Sequence, residues 1–140
     1  MSTRADKFTQ LQKIPDLFSD LLNDLTPHPI TKDVTRLRND DAVRQAVKNL
    51  VLTNFGERLF QPAIGCNVSR SLFEPSDDFM INDMRLAIID TISYNEPRVI
   101  VNNVDIFPSR QGDKITVNIV FSLINNPVPQ NLDIILRRVR

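Results

Sequence analysis

Hydrophobic positions near the start of the chain follow the spacing of an amphipathic helix. The apolar residues of this segment are Ile14, Leu17, Phe18, Leu21, Leu22 and Leu25, and aspartates recur at every fourth position on another face. We therefore predict that residues 1–26 form a helical extension. Its acidic face favours docking on a protein over docking on a membrane, and the predicted contact residues are Leu17, Phe18, Leu21 and Leu22. Packing of this helix on its own domain is the alternative interpretation.

Two later segments also have the apolar spacing of helices. The stripe of residues 40–54 consists of Val43, Ala46, Val47, Leu50 and Val51. Asn39 is suited to cap this helix, and two aspartates follow it in the first turn. A third helix is predicted at about 77–94, with Ser76 at its start. It carries apolar residues on several faces, which is typical of the central helix of a domain.

The last third of the chain alternates apolar and polar residues, as strands with one buried face do. The alternation predicts strands at about 99–107, 114–124 and 131–139. Residues 125–129 are expected to separate the second strand from the third, because their two prolines cannot donate to a ladder. The predicted fold class is therefore α+β, with N-terminal helices followed by a small antiparallel sheet that packs on the central helix. Residues 27–140 form this domain.

The segment between the second and third helices, residues 56–75, is irregular and is interrupted by glycines and prolines. We expect its apolar residues to attach it to the core; they are Leu59, Phe60, Ile64, Leu72 and Phe73. Gly65 is suited to a turn that requires a positive φ. Beside it, Cys66 is expected to be a small buried apolar residue rather than a reactive thiol.

The tripeptide Glu96-Pro97-Arg98 lies where the third helix gives way to the first predicted strand. Proline fixes its own φ and disfavours the helical region for the preceding residue, so the helix is expected to end before Glu96. In an extended segment the side chains at i and i+2 point to the same side, so Glu96 and Arg98 should share one face. A simple helix stop and a grip on a complementary surface both fit this local pattern.

Charge and composition argue against several classes of function. Seventeen basic and seventeen acidic residues give a net charge of zero, which disfavours binding to nucleic acid or to an anionic membrane. No apolar run approaches the roughly 20 residues that span a bilayer. His28 is the only histidine and Cys66 the only cysteine, so no catalytic site, metal site or cofactor is expected.

The predicted terminal strand lies at an edge of the sheet. Unpaired N–H and C=O groups along such an edge can accept a strand from another chain. Three arginines occur there, Arg137, Arg138 and Arg140. They either protect the edge or recruit an acidic arm to it, and the sequence leaves both interpretations open.

Four short motifs resemble the sheath-initiator, or baseplate-wedge, proteins of contractile phage tails and related injection machines. The motifs are Gly56-Glu57-Arg58-Leu59-Phe60-Gln61-Pro62-Ala63-Ile64-Gly65-Cys66, Leu72-Phe73-Glu74, Tyr94-Asn95-Glu96-Pro97-Arg98 and Phe121-Ser122-Leu123-Ile124-Asn125-Asn126-Pro127. Their order and spacing carry the resemblance, which covers roughly residues 27–140. The first 26 residues depart from it, because they look longer and more helical than the start of these proteins.

This resemblance implies a structural protein of the virion tail baseplate, assembled in the host cytoplasm. In such proteins the Glu-Pro-Arg tripeptide contacts a helical bundle of wedge subunits, which implies that Glu96, Pro97 and Arg98 form the wedge interface. It also implies that the terminal strand templates the first ring of tail sheath protein by strand exchange, with six copies per baseplate. The expected sheath contacts are Leu132, Ile134, Leu136, Arg137 and Arg138.

A peptidoglycan-degrading, lysozyme-like enzyme is the alternative, because members of this family have often carried a lysozyme label. Such an enzyme needs two carboxylates roughly 5 to 9.5 Å apart across a sugar cleft. The candidates are Glu57, Glu74 and Glu96. Arg98 would keep Glu96 ionised and so make it a poor general acid, and the chain has no tryptophan to bind sugars. We therefore favour the structural role over an enzyme.

Overall fold

The computed structural model describes residues 17–73, 77–109 and 114–137. In chain order its elements are β1 (Ser19–Leu21), β2 (Arg36–Arg38), α1 (Asp40–Leu52), α2 (Val68–Ser71), α3 (Asp78–Asn95), β3 (Val99–Pro108), β4 (Lys114–Leu123) and β5 (Asn126–Arg137). β1 and β2 form a small antiparallel pair, and β3, β4 and β5 form an antiparallel sheet in that order. The predicted α+β class, with helices ahead of the main sheet, is confirmed.

Helix α1 matches the predicted stripe and ends two residues before the predicted end. Val43, Val47 and Val51 recur at every fourth position and are buried, so one face of the helix packs into the core. Asn39 precedes the helix, but its side chain does not cap it, and this prediction was wrong. Its Oδ1 instead accepts a hydrogen bond from the Leu17 N–H at 2.9 Å, which attaches the N-terminal segment to the start of α1.

Helix α3 is the central helix, as predicted. Asp77 caps it, since its Oδ1 accepts a hydrogen bond from the Met80 N–H at 2.8 Å. Ser76, where the sequence predicted the helix to begin, lies outside the described residues. The buried residues of α3 are Met80, Met84, Ile88, Thr91 and Ile92. Their apolar side chains join those of α1 and of the main sheet in one core.

Strand β4 is the centre of the main sheet and pairs with β3 on one side and β5 on the other. Val117, Ile119 and Phe121 alternate along it and are fully buried, whereas Thr116 and Asn118 are only half-buried on the other face. This alternation is the one predicted from the sequence, and it directs one face of the sheet onto the helices.

Strand β5 begins at Asn126, five residues before the predicted start of the third strand, so this boundary was wrong. A two-residue turn, Ile124 and Asn125, joins β4 directly to β5. The two prolines of this stretch are tolerated because β5 is an edge strand, where a missing N–H need not face a neighbour. They also lie opposite a bulge, since the register shifts between Phe121 and Leu123.

The amphipathic helix predicted for residues 14–25 is wrong from Leu17 onward, and the earlier residues lie outside the described part of the chain. β1 is extended and pairs with β2 across the predicted domain division at residue 26, which stays a prediction. Phe18 and Leu22 are half-buried, but Leu17 and Leu21 are 57% and 51% exposed. The four residues predicted to contact a partner therefore do not form one helix face. Residues four apart lie on the same side of a helix and also on the same side of a strand. A helix would place all four residues on one face, whereas a strand directs Leu17 and Leu21 away from Phe18 and Leu22. The exposure of Leu17 and Leu21 therefore distinguishes the strand from the helix.

Backbone hydrogen bonds hold the base of the loop between α1 and α2. The Cys66 N–H donates to the Thr53 carbonyl at 2.7 Å, and the Gly56 N–H donates to the Pro62 carbonyl at 2.9 Å. Cys66 is 1% exposed, which confirms the prediction of a buried structural cysteine, and burial raises the pKa of its thiol. A thiol with a raised pKa is a poor nucleophile at neutral pH.

The apolar residues of this loop do not all attach it to the core, as the sequence predicted. Leu72 packs against the core and Ile64 is half-buried. Phe73 is exposed, and Leu59 and Phe60 at the tip of the loop are 92% and 97% exposed. For these three residues the prediction was wrong, because it assumed that a large apolar side chain is buried.

We predict that Gly65→Ala destabilises the protein more than Gly56→Ala. Both glycines have positive φ, +144° and +82°, as predicted for Gly65. A Cβ at Gly65 would lie 2.7 Å from the Thr53 carbonyl oxygen, whereas nothing lies within 4 Å of a Cβ at Gly56. We expect the free energy of unfolding to fall by about 3 kcal/mol for Gly65→Ala and by about 1 kcal/mol for Gly56→Ala. Urea titration measures both, and equal losses would contradict the close backbone approach at Gly65.

Candidate functional site

Helix α3 turns into β3 within the three residues Glu96, Pro97 and Arg98. The Glu96 N–H donates to the Ile92 carbonyl at 2.8 Å and completes the last helical turn. Glu96 then leaves the helical region at φ −129° and ψ 77°, and the proline ring prevents further helix. The Val99 N–H donates back to the Glu96 carbonyl at 3.1 Å, so the connection is tight.

The side chains of Glu96 and Arg98 lie on one face, as predicted, and bind each other. Arg98 Nε donates to Glu96 Oε1 at 2.5 Å, and Arg98 Nη2 donates to Glu96 Oε2 at 2.6 Å. Glu96 is only 5% exposed, and a buried carboxylate needs a paired, hydrogen-bonded charge. The hydrogen bond to Glu96 raises the pKa of Arg98, although partial burial opposes this effect. The guanidinium is therefore held charged and in a fixed orientation.

Phe18 lies against the same guanidinium. The Arg98 Cζ is 4.9 Å from the centroid of the Phe18 ring, which is a cation–π contact. Phe18 is held there because its carbonyl accepts a hydrogen bond from the Asn39 N–H at 2.8 Å. The sequence prediction placed Phe18 on a partner-binding helix and missed this contact. Two residues so far apart in the chain give no local pattern that would reveal it.

A groove of about 240 Å³ runs along this corner. It is lined by Phe18, Pro97, Arg98, Ile124 and Asn125. The Ile124 N–H donates to the Arg98 carbonyl at 3.1 Å, so the β4–β5 turn is fixed against the α3–β3 turn. The groove meets a wider one of about 500 Å³, which shares Phe18 and Asn125 and also includes Leu17 and Leu123. We call these two connected depressions the junction groove.

The residues predicted to contact sheath protein lie on β5. Leu132, Ile134 and Leu136 are 7%, 3% and 6% exposed, so their side chains belong to the core, and their place at a sheath interface stays a prediction. Arg137 is exposed, and Arg138 lies outside the described residues. The main chain along the outer edge is the part of β5 that could pair with another strand.

The two edges of the main sheet differ. On β3, the Val104 carbonyl accepts a hydrogen bond from Nε of Arg85 at 2.9 Å, and α3 packs along this strand. Within the described residues, no further strand pairs with the outer edge of β3 or of β5. The Arg85 bond occupies one carbonyl of β3, and no side chain is hydrogen-bonded to the main chain of residues 131–137 in the described part of β5. The sequence prediction left undecided which edge is open, and nothing in the local pattern around Arg85 indicates its bond to β3.

The carboxylates proposed for the enzyme alternative do not form a site among the described residues. Glu57 Oε2 accepts a hydrogen bond from the Asn54 N–H at 2.8 Å and so stabilises its own loop. Both carboxylate oxygens of Glu96 accept hydrogen bonds from Arg98, so this side chain is already engaged within the chain. Glu74 lies outside the described residues.

Over residues 17–73, 77–109 and 114–137, no three or more histidine, cysteine or acidic side chains are grouped so that they could hold a metal ion. Within the same ranges, none of the helices has the length and apolar character to cross a membrane. The Nδ1 of His28 accepts a hydrogen bond from the Ile30 N–H at 3.3 Å, which is a local structural role.

Two solved structures share this fold. A chain of the anti-feeding prophage baseplate, determined by cryo-electron microscopy, aligns with 86% of this chain and 85% of its own length, with a TM-score of 0.62 and 20% identity. The crystal structure of a candidate tail lysozyme from Geobacter sulfurreducens aligns with 74% of this chain and 96% of its own length, with a TM-score of 0.67 and 16% identity. At these identities the likeness shows the fold alone.

Sequence similarity defines the class as structural proteins of tail baseplates. The family model described as baseplate wedge protein gp25 matches residues 37–128, which is more than half of the chain. Baseplate wedge protein gp25 of Enterobacteria phage T4 is 29% identical over 96 residues, 69% of this chain and 73% of that protein. The chain belongs to the baseplate wedge protein gp25 family. It is a structural component of the baseplate wedge in a contractile tail, which confirms the family and the location that the motifs implied.

We predict that Arg98→Met destabilises the protein more than the double variant Glu96→Gln/Arg98→Met. The single variant leaves a buried carboxylate without its partner. We expect a loss of about 2 kcal/mol, less than the roughly 3 to 5 kcal/mol of a fully buried pair, because 38% of the Arg98 side chain is exposed. Removing the charge of Glu96 as well should restore at least half of this loss. Urea titrations of both variants and of Glu96→Gln complete a double-mutant cycle. Strictly additive losses in the free energy of unfolding would contradict an interaction between Glu96 and Arg98.

Proposed function

We propose that this chain is an adaptor that docks on the helical bundle of the baseplate wedge through the junction groove and templates the first sheath ring through the edge of β5. The observation that carries the proposal is the separation of these two surfaces. Leu123 lies at the junction end of β4, whereas Asn131 pairs with Val120 and Arg137 with Lys114. At about 3.3 Å per residue, the edge formed by residues 131–137 therefore runs from roughly 10 Å to roughly 30 Å away from the junction end. One subunit can therefore bind two partners without overlap.

The junction groove supports the docking half of the proposal because its charged group is already oriented. Arg98 uses Nε and Nη2 on Glu96, and no hydrogen bond described here uses its Nη1. Pro97 and Ile124 beside it are exposed and apolar. A guanidinium held by Glu96 and Phe18 loses little freedom when a partner binds, which favours affinity. The groove thus offers one fixed donor within an apolar rim, a combination that suits the side of a helical bundle.

The outer edge of β5 supports the sheath half of the proposal. A strand that adds to this edge gains main-chain hydrogen bonds that depend little on side-chain identity. The bulge and the two prolines in the first half of β5 confine such pairing to about residues 131–137. Six copies around a tail axis would present six such edges. The copies are held in one assembly, so weak individual pairings would act together.

No specific observation favours the peptidoglycan-degrading alternative. Glu57 and Glu96 are each engaged within this chain. The likeness to the Geobacter sulfurreducens protein is one of fold, at 16% identity. The structural role is therefore the function that the family and the geometry support best.

We predict that Ile124→Asp weakens binding to the reconstituted wedge subunits of the same tail. The substitution puts a charge into the apolar rim of the junction groove, where it would be desolvated without a partner. We expect the free energy of binding to fall by about 2 to 5 kcal/mol in isothermal titration calorimetry. Ile135→Asp is the matched control, because Ile135 is similarly exposed, 57% against 62%, and lies toward the other end of the sheet. Wild-type binding by Ile124→Asp, or equal losses in both variants, would exclude docking through the groove.

We also predict that a peptide from the strand-exchange arm of the sheath subunit protects alternate backbone amides of residues 131–137. Successive residues of an antiparallel strand direct their N–H groups to opposite edges, so about half of these amides face outward. These amides should exchange rapidly with deuterium in the free protein and at least about tenfold more slowly when the arm is bound. Exchange detected by NMR resolves each amide. Protection confined to β3 would assign the arm to the other edge, and no protection would exclude strand addition.

A further inference from the structure

Leu59 and Phe60 lie outside both surfaces of the proposed function. At 92% and 97%, they are the two most exposed large apolar side chains in the described part of the chain. They are also neighbours in sequence, so two large apolar side chains are exposed at the tip of one loop. Adjacent exposed apolar side chains mark interaction sites more often than single exposed apolar side chains do.

The geometry of this loop makes the choice of residues unusual. The Gln61 N–H donates to the Arg58 carbonyl at 3.3 Å, so Leu59 and Phe60 are the central residues of a four-residue turn. Central turn positions favour glycine, proline, asparagine, aspartate and serine, which suit the backbone angles or bond to the turn itself. Two large apolar residues contradict this preference and contribute little to the core. Such local contradictions are expected where a residue serves a function.

The base of the loop holds this turn in place. The Gly56 N–H donates to the Pro62 carbonyl at 2.9 Å, and the Asn54 N–H donates to Glu57 Oε2 at 2.8 Å. The first bond joins the two sides of the loop below the turn, and the second orders the N-terminal side. A projection that is already ordered loses less conformational entropy when it is buried by a partner.

We propose that the Leu59-Phe60 turn is a second docking element, which inserts into an apolar pocket with an acidic rim on a neighbouring protein subunit of the baseplate. The two side chains supply an apolar anchor of the size that dominates protein interfaces. Arg58 indicates that the rim of the partner's pocket is acidic. This arginine is exposed beside the two apolar side chains and forms no ion pair within the described residues. Carboxylates around the pocket would therefore complement it. A membrane is the weaker alternative, because two side chains and one cation are far less than stable anchoring needs.

The test is photo-crosslinking within complete baseplates assembled from the subunits of the same tail. One protein carries p-benzoylphenylalanine in place of Phe60, and the matched control carries it in place of Phe79, which is 79% exposed at the start of α3. We expect position 60 to crosslink to one protein subunit at least about tenfold more than position 79 does. Arg58→Glu should reduce this yield, and lysine in place of the rim carboxylate of the partner should restore it. Equal yields at both positions, or no protein crosslink at position 60, would overturn the proposal.

Two further measurements keep the result interpretable. Leu59→Ala and Phe60→Ala should retain the Tm of the unsubstituted protein, since these side chains are almost wholly exposed; a marked fall in Tm would show a structural role and overturn the proposal. Vesicles of phosphatidylglycerol test the membrane alternative. Vesicle binding that is lost in both alanine variants, without a protein crosslink, would assign the turn to a lipid surface and would also overturn the proposal. Neither outcome affects the tests of the junction groove or of β5.

Discussion

The turn from α3 into β3 depends on one ion pair. Glu96 carries a carboxylate at the C-terminal end of a helix, where the unsatisfied carbonyls already concentrate negative charge. Burial of that carboxylate would be costly without a cation beside it. Arg98 provides the cation from two residues further on, because the extended backbone returns its side chain to the same face. The same guanidinium contacts Phe18, which directly precedes β1, so this pair also helps to attach the N-terminal segment to the main sheet.

The proposed function does not require a net charge on the chain. The proposed surfaces offer a fixed guanidinium donor, an apolar rim and a strand edge. Arg85 occupies one carbonyl of the β3 edge, and neither β3 nor β5 has a further strand on its outer edge in the described residues. Recognition of this kind depends on shape and on main-chain groups, so it responds less to salt than recognition by long-range charge would. A component that must stay attached in a large assembly benefits from that insensitivity.

Much of this fold could be predicted from hydrophobic periodicity, because α1, α3, β3 and β4 each bury one regular face. Periodicity failed near the N-terminus, where a spacing of four fits a strand as well as a helix and only the exposed Leu17 and Leu21 distinguish them. It failed again at Leu59 and Phe60, because a pattern of apolar residues cannot show which of them are covered. At the junction, the Glu-Pro-Arg tripeptide predicted that its two charges share one face and interact, but not that Glu96 is buried. The contact of Arg98 with Phe18 and the bond of Arg85 to β3 join distant parts of the chain, so no local pattern encodes them.

The order of strands in the main sheet has a further consequence for how the protein folds. β3, β4 and β5 follow one another in sequence, and each pairs only with the strand next to it in the chain. Pairing between strands that are neighbours in the chain closes only short loops within the sheet, which favours its rapid formation. The core of the described residues is built from side chains of one chain. In the proposed function, a strand that arrives during assembly therefore extends a sheet whose three strands are already paired.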